Sequence, residues 1–264
     1  MEILGYVASV FMGLSLGMIG GGGSILTVPI LVYLFAISPV LSTAYSLFIV
    51  GSTALVGGIL YFVKGQVDLK TGFIFAVPSF IGVYAVRAFV IPGLPDPVFQ
   101  AGSFAVSKSF LIMMVFAVLM LMASISMIRS NKGPAKKLKL SVVQRTVLIG
   151  AEGLLVGAVT GFVGAGGGFL IIPALVVLVG LPMKIAVGTS LFIIAAKSLI
   201  GFIGDLQHQA SIDWGLMLSI TGIAIVGLLI GTMVAKKVSE TTLKKGFGYF
   251  VFVMGAFILI DQLR

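Results

Sequence analysis

Two kinds of residue in this chain are placed where chemistry could happen. The first is glycine. The stretch "MIGGGGSILTVP", Met18 to Pro29, holds four consecutive glycines, Gly20, Gly21, Gly22 and Gly23, followed by Ser24, Thr27 and Pro29. Glycine accepts the positive φ that a tight turn between helices needs. A helix restarting after such a turn has N–H groups with no helical partner and the positive end of its dipole. Ser24 stands where it would cap that start, and Pro29 loses little in an early helical turn. Together these features make an anion site. A second cluster, "GFVGAGGGFLIIP", carries Gly164, Gly166, Gly167 and Gly168 ahead of Pro173 and is expected to supply a second helix start. Two such starts facing each other would cradle a small, multiply charged oxyanion.

The second kind is charge inside apolar sequence. Lys197 lies in "FIIAAKSLIGF", Arg87 in "VYAVRAFV" and Glu152 in "LIGAEGLLVG", and Asp205 ends its segment. Ionisable groups in such stretches face a cavity or a partner. Lys197 either compensates a bound anion or pairs with Glu152, unless it snorkels to an interface. Glu152 either carries a coupling proton or has a structural partner. Thr43, Ser46, Thr189 and Ser190 are hydroxyl donors for an oxyanion, or bond their own helix backbone. Gln207, His208 and Gln209 read as a polar outer loop. No spacing of His, Cys or carboxylates suggests a metal, haem or nucleophile site, so neither catalysis nor a cofactor is expected.

These residues need elements to hold them, and composition says which. The 264 residues are 59% hydrophobic and 9% charged, with a mean hydropathy of +1.23. Soluble domains carry about 25% charged residues. The chain therefore reads as an all-α polytopic integral membrane protein, a single membrane domain over 1–264. Apolar segments fall at 3–19, 25–36, 40–63, 71–91, 105–128, 144–163, 169–180, 185–206, 215–235 and 246–262. Helices are required because lipid leaves backbone groups no other partner short of a closed barrel, and no sustained period-2 alternation supports a barrel. The pieces 25–36 and 169–180 cover only about 18 Å at helical rise, against a hydrocarbon core of ~30 Å. They read as half-helices starting inside the membrane. With no cysteine there is no disulfide, the N-terminus lacks the basic region of a cleaved leader, and the net charge of +9 lies in short loops and does not indicate nucleic acid.

Shifting the first half by 144 lays "GLSLGMIGGGGSILTVP" on "GAVTGFVGAGGGFLIIP", and "SLFI" at 46–49 on "SLFI" at 190–193. Two repeats follow, 1–129 and 144–264, joined by a basic linker over 130–143. Lys and Arg set orientation. With the linker cytoplasmic, thirteen of the seventeen basic residues lie inside and both termini lie outside. Each repeat is then a Gly-broken hairpin plus three spanning helices, and the odd number of crossings makes the repeats inverted, as in many secondary transporters. Gly13/Gly17, Gly157/Gly161 and Gly227/Gly231 read as small-residue packing pairs.

The paired "G-x3-G-x2-G-x-G-G…P" motifs, "AVGTSLF" at 186–192 and the basic central linker resemble the sulfite exporter TauE/SafE family. The resemblance implies transport of small sulfur-containing anions, such as sulfite, thiosulfate or organosulfonates, across a bacterial-type cytoplasmic membrane. It points to Gly20, Gly22, Gly23, Pro29, Gly164, Gly166, Gly167, Pro173, Gly188, Thr189 and Ser190. The first half departs from it with "STAYSLF", where Tyr45 stands in place of Thr189. The expected partners are an oxyanion substrate, a coupling proton or sodium ion, and membrane lipid. A passive anion channel and a non-transporting membrane scaffold are the alternatives.

Overall fold

The computed structural model describes residues 2–101, 104–129, 141–206, 212–235 and 240–263. Most of the basic linker, the Gln207–His208–Gln209 loop, Lys236, Lys237 and Arg264 lie outside the described residues.

The stretch expected as the first repeat holds α1 (Glu2–Ile19), the half-helix α2 (Gly22–Leu34), α3 (Pro39–Val63), α4 (Leu69–Gly93), a small antiparallel hairpin of β1 (Phe99–Ala101) and β2 (Phe104–Val106), and α5 (Lys108–Arg129). The second holds α6 (Val142–Val163), the half-helix α7 (Gly168–Ala174, continued by a π turn over Leu175–Val179), α8 (Met183–Leu206), α9 (Trp214–Val234) and α10 (Glu240–Gln262). Eight helices among the described residues are long and apolar enough to cross a membrane, as the apolar segments predict. The segment boundaries differ from expectation by a few residues. The hairpin is an addition that the second repeat does not share.

The surface is that of a protein in lipid. Phe62, Val63, Phe73, Ile81, Val253 and Phe257 point outward, while Ser9, Ser24, Ser46, Thr53, Ser79, Arg87, Lys197 and Ser198 are buried. Exposed apolar side chains at this density, over an apolar core with a few polar groups buried in it, form a surface suited to lipid. The most enclosed of the eight spans is α8, with 72% of its most apolar stretch buried; α10, at 28%, lies at the rim.

Small residues set the helix contacts. A Cβ at Gly13 or Gly17 of α1 would collide with the backbone of α9 at Ala224 or Leu228, and one at Gly227 or Gly231 with α1 at Val10 or Leu14. The same device joins α6 to α4, where Gly153, Gly157 and Gly161 rest on Phe75, Ser79 and Val83. These are the two contacts that exchange under the 144-residue shift. Without a hydrophobic drive between helices in lipid, such close backbone packing is the main source of association.

Order along these contacts gives helix direction. α1 runs parallel to α9, and α4 parallel to α6. α3 meets its own counterpart α8 in the opposite sense, because Gly51 touches Leu199 while Gly58 touches Phe192. Likewise α10 runs against α5, with Gly248 on Met127 and Gly255 on Met120.

Both half-helices begin at glycine turns. Gly20 has φ 78°, and Gly164, Gly166 and Gly167 have φ 72°, 65° and 66°. The turns touch each other: a Cβ built on Gly21 would overlap Gly168 Cα, and one on Gly168 would overlap Gly21 Cα. The obstacle is backbone on both sides, so neither turn can yield by a rotamer change. Gly168→Ala is expected to lower the thermal stability of the purified protein by at least about 1–3 kcal/mol, the usual cost of overpacking. Gly222→Ala, on a face of α9 with nothing within 4 Å, is expected to be neutral or stabilising. Equal melting temperatures for the two variants would remove the claim that the turns are in fixed contact.

Candidate functional site

The contact between the glycine turns lies halfway along the two central spans. A Cβ on Gly166 would meet Val50 Cγ1 at 2.7 Å, and one on Gly168 would meet Ile194 Cδ1 at 2.6 Å. Val50 and Ile194 are near the middles of α3 and α8 and are counterparts under the repeat shift. Gly20, Gly21, Gly22, Gly23, Gly164, Gly166, Gly167 and Gly168 are all buried.

Hydroxyls from both halves tie the turns together. Ser24 Oγ lies between two carbonyl oxygens, Gly21 O at 2.7 Å and Ala165 O at 2.6 Å. Its role therefore differs from the expected N-cap. The hydroxyl serves as a donor to carbonyls and bridges the two turns, while the residue preceding the first helical turn is Gly21, with no side-chain cap. The physical reason is the turn itself, which aims the Gly21 and Ala165 carbonyls at the Ser24 side chain. Ser46 Oγ donates to Gly164 O at 2.6 Å. Its counterpart Ser190 lies beside Gly20, where a Cβ would come within 3.2 Å of its Oγ, but donates to Val187 O of its own helix at 2.8 Å. Thr189 is elsewhere. Its Oγ1 accepts the Asp68 N–H at 2.9 Å, near the start of α8 where α4 begins, so it is not brought to the turns.

Lys197 is brought to them. Its side chain is fully buried, and Nζ would lie 2.7 Å from a Cβ on Gly167. Nζ donates to Thr160 Oγ1 at 2.8 Å. The Lys197–Glu152 ion pair is not formed. Glu152 lies on α6 two turns from Thr160, with Val156 between them, and its Oε2 is buried without a hydrogen-bond partner. In the first half the counterparts of Lys197 and Thr160 are Thr53 and Leu16. Thr53 donates to Ile49 O of its own helix, and Gly23 packs on Met12 and Leu16 where Gly167 packs on Val156 and Thr160. The frame is repeated, but the cation is not.

A second buried charge forms a separate group. Arg87 Nη1 donates to Thr43 Oγ1 at 3.0 Å and to Asp205 Oδ1 at 3.3 Å, the one ion pair among the described residues. Thr43 in turn abuts the Gly164 turn, 2.5 Å from a Cβ placed there. Sequence reasoning registered both charged residues but not their pairing, which joins positions 118 residues apart.

A family model described as sulfite exporter TauE/SafE matches residues 6–258 of this chain. The chain belongs to the sulfite exporter TauE/SafE family. Among curated relatives, a "probable membrane transporter protein" of Xylella fastidiosa (strain 9a5c) is 28% identical over 253 residues, covering 94% of this chain and 90% of the relative. The "probable membrane transporter protein YunE" of Bacillus subtilis is 28% identical over 265 residues, covering 91% and 92%. A "probable membrane transporter protein MJ0441" of Methanocaldococcus jannaschii is 34% identical over 105 residues, 38% of this chain and 39% of the relative. No solved structure matches the chain significantly. As a TauE/SafE family member with eight apolar helices, it is a multi-pass membrane protein.

Because Thr160 is the hydrogen-bond acceptor for Lys197, the two residues respond differently to substitution. Thr160→Val strands a buried ammonium and is expected to cost about 1–3 kcal/mol of thermal stability in nanodiscs. Lys197→Met removes the charge and is expected to be neutral or stabilising. A marked loss of stability in Lys197→Met would instead make the lysine a structural strut.

Proposed function

We propose that this TauE/SafE member is a secondary transporter of small sulfur-containing anions, sulfite, thiosulfate or organosulfonates, across the cytoplasmic membrane. The single observation that carries the reading is Lys197. Its buried ammonium lies against the contact between two glycine turns, halfway along the central spans, with a neutral hydroxyl as its hydrogen-bond partner. A cation kept in that place without a carboxylate is matched to a negatively charged visitor. The helix starts after the turns, the backbone N–H groups of Gly22, Gly23 and Gly168, and the hydroxyls of Ser46 and Ser190 are the neighbouring ligands in this reading.

The opposed directions of α3 and α8, and of α5 and α10, support two inverted repeats that exchange access to this point. The closed contact of Gly21 with Gly168 supports a carrier over a passive channel. In the conformation described here it has to part before an ion can pass. Glu152, with a buried oxygen lacking a partner, is the proposed carrier of a coupling proton.

In proteoliposomes, unlabelled anion loaded inside is expected to accelerate entry of labelled sulfite or thiosulfate. Lys197→Met is expected to reduce that exchange tenfold or more. Glu152→Gln is expected to retain exchange but lose the response to a pH gradient. Net flux with no acceleration by internal anion would favour the channel, and no flux at all the scaffold.

Orientation is proposed from Lys and Arg placement, with the 130–143 linker cytoplasmic and both termini outside. The chain has no cysteine, so Lys136→Cys is a clean probe. A membrane-impermeant thiol reagent is expected to label it in inverted vesicles only. Labelling in intact cells would reverse the topology.

A further inference from the structure

Arg87 is the largest fully buried side chain among the described residues, and most of its hydrogen-bonding capacity is unused. Thr43 and Asp205 both sit on Nη1. Nε and Nη2 are buried with no hydrogen-bond partner. A guanidinium offers five N–H donors in a rigid fork, and its Nε–Nη2 edge matches two oxygens of a carboxylate, sulfonate or sulfite. Leaving that edge desolvated and unsatisfied is costly. Pairing with Asp205 and Thr43 uses Nη1 alone and leaves that edge over.

The surroundings argue against simple packing. Under the repeat shift, Arg87, Asp205 and Thr43 correspond to Gly231, Tyr61 and Val187. Gly231 makes a close backbone contact with α1 at Leu14, so the fold closes at that position without a charge. The polar group is thus an addition to one end of the molecule. Arg87, six residues before the end of α4 at Gly93, also sits in a π turn, Val86–Val90, that interrupts the helix. The group connects to the centre. Asp205 follows Lys197 by eight residues of α8, about 12 Å of helix. Thr43 touches the Gly164 turn, and Ser46, three residues further on, donates to it.

We propose that the open Nε–Nη2 edge of Arg87 is a second oxyanion-binding position, a station between the glycine crossing and the end of the molecule formed by the start of α3 and the end of α8. The inference rests on the transport reading for its place on a substrate path. Asp205 stays on Nη1 and repels the visiting anion, which keeps binding weak. A station on a conduction path has to release what it binds.

The test is isothermal titration of the full chain in nanodiscs with thiosulfate, sulfite and sulfate. Asp205→Asn removes the repelling charge and keeps a hydrogen-bonding side chain on Nη1. It is expected to tighten binding of at least one of these anions tenfold or more. Arg87→Gln alone leaves Asp205 buried without its cation, and so risks misfolding. The neutral double variant Arg87→Gln/Asp205→Asn avoids this, and is expected to lose the gain. Adding Lys197→Met to Asp205→Asn removes the central cation, and Arg87-dependent binding is expected to persist. Asp205→Asn binding no tighter than the parent, or a gain that survives Arg87→Gln, overturns the station. Parent binding that ignores Lys197→Met overturns the central reading and leaves the station standing.

Discussion

The rest of the structure depends on two stretches of backbone touching at Gly21 and Gly168. The approach is closer than any side chain permits, and each partner belongs to a turn whose glycines include positive φ values. In lipid, helix ends cannot stop in open hydrocarbon, because unpaired N–H and C=O groups have no water to turn to. They can stop inside protein. The crossing is where two helix starts do so together, with Ser24 and Ser46 donating to carbonyls across the repeat boundary. The surrounding spans are arranged to enclose that place. α3 and α8 flank it at their midpoints, and the glycine-lined pairs α1–α9 and α4–α6 bring the remaining helices close.

On this repeated frame, charge is distributed unevenly. One half puts Lys197 and Thr160 beside its turn, where the other has Thr53 and Leu16. One end carries Arg87, Asp205 and Thr43, where the other has Gly231, Tyr61 and Val187. A frame with two equivalent faces can be built from packing alone. Charged groups present in one half alone break that equivalence. On the proposed reading those are the groups described here, and they lie along α8, the most enclosed helix.

Much of the frame was legible in the sequence because its causes are local. Apolar length marks spans, and glycine spacing marks turns and close contacts. The small-residue pairs Gly13/Gly17, Gly157/Gly161 and Gly227/Gly231 all proved to be packing surfaces. Elsewhere a residue type admitted more than one partner. Ser24 read as a cap and became a bridge between carbonyls. Thr189 read as a site hydroxyl, and the structure has it accept the Asp68 N–H away from the glycine turns. The Phe99–Val106 hairpin gave no clear signal, since three-residue strands are too short for alternation to register.

The sequence by itself determined a membrane protein with a similar glycine interruption in each half, because burial in lipid and backbone freedom depend on residue type and spacing. Only the tertiary structure decided that the interruptions meet, that Lys197 bonds Thr160 in place of Glu152, and that Arg87 pairs with Asp205. Those outcomes depend on which helix lies beside which. That choice is set by the summed close contacts of many small residues, and no single stretch of chain carries it.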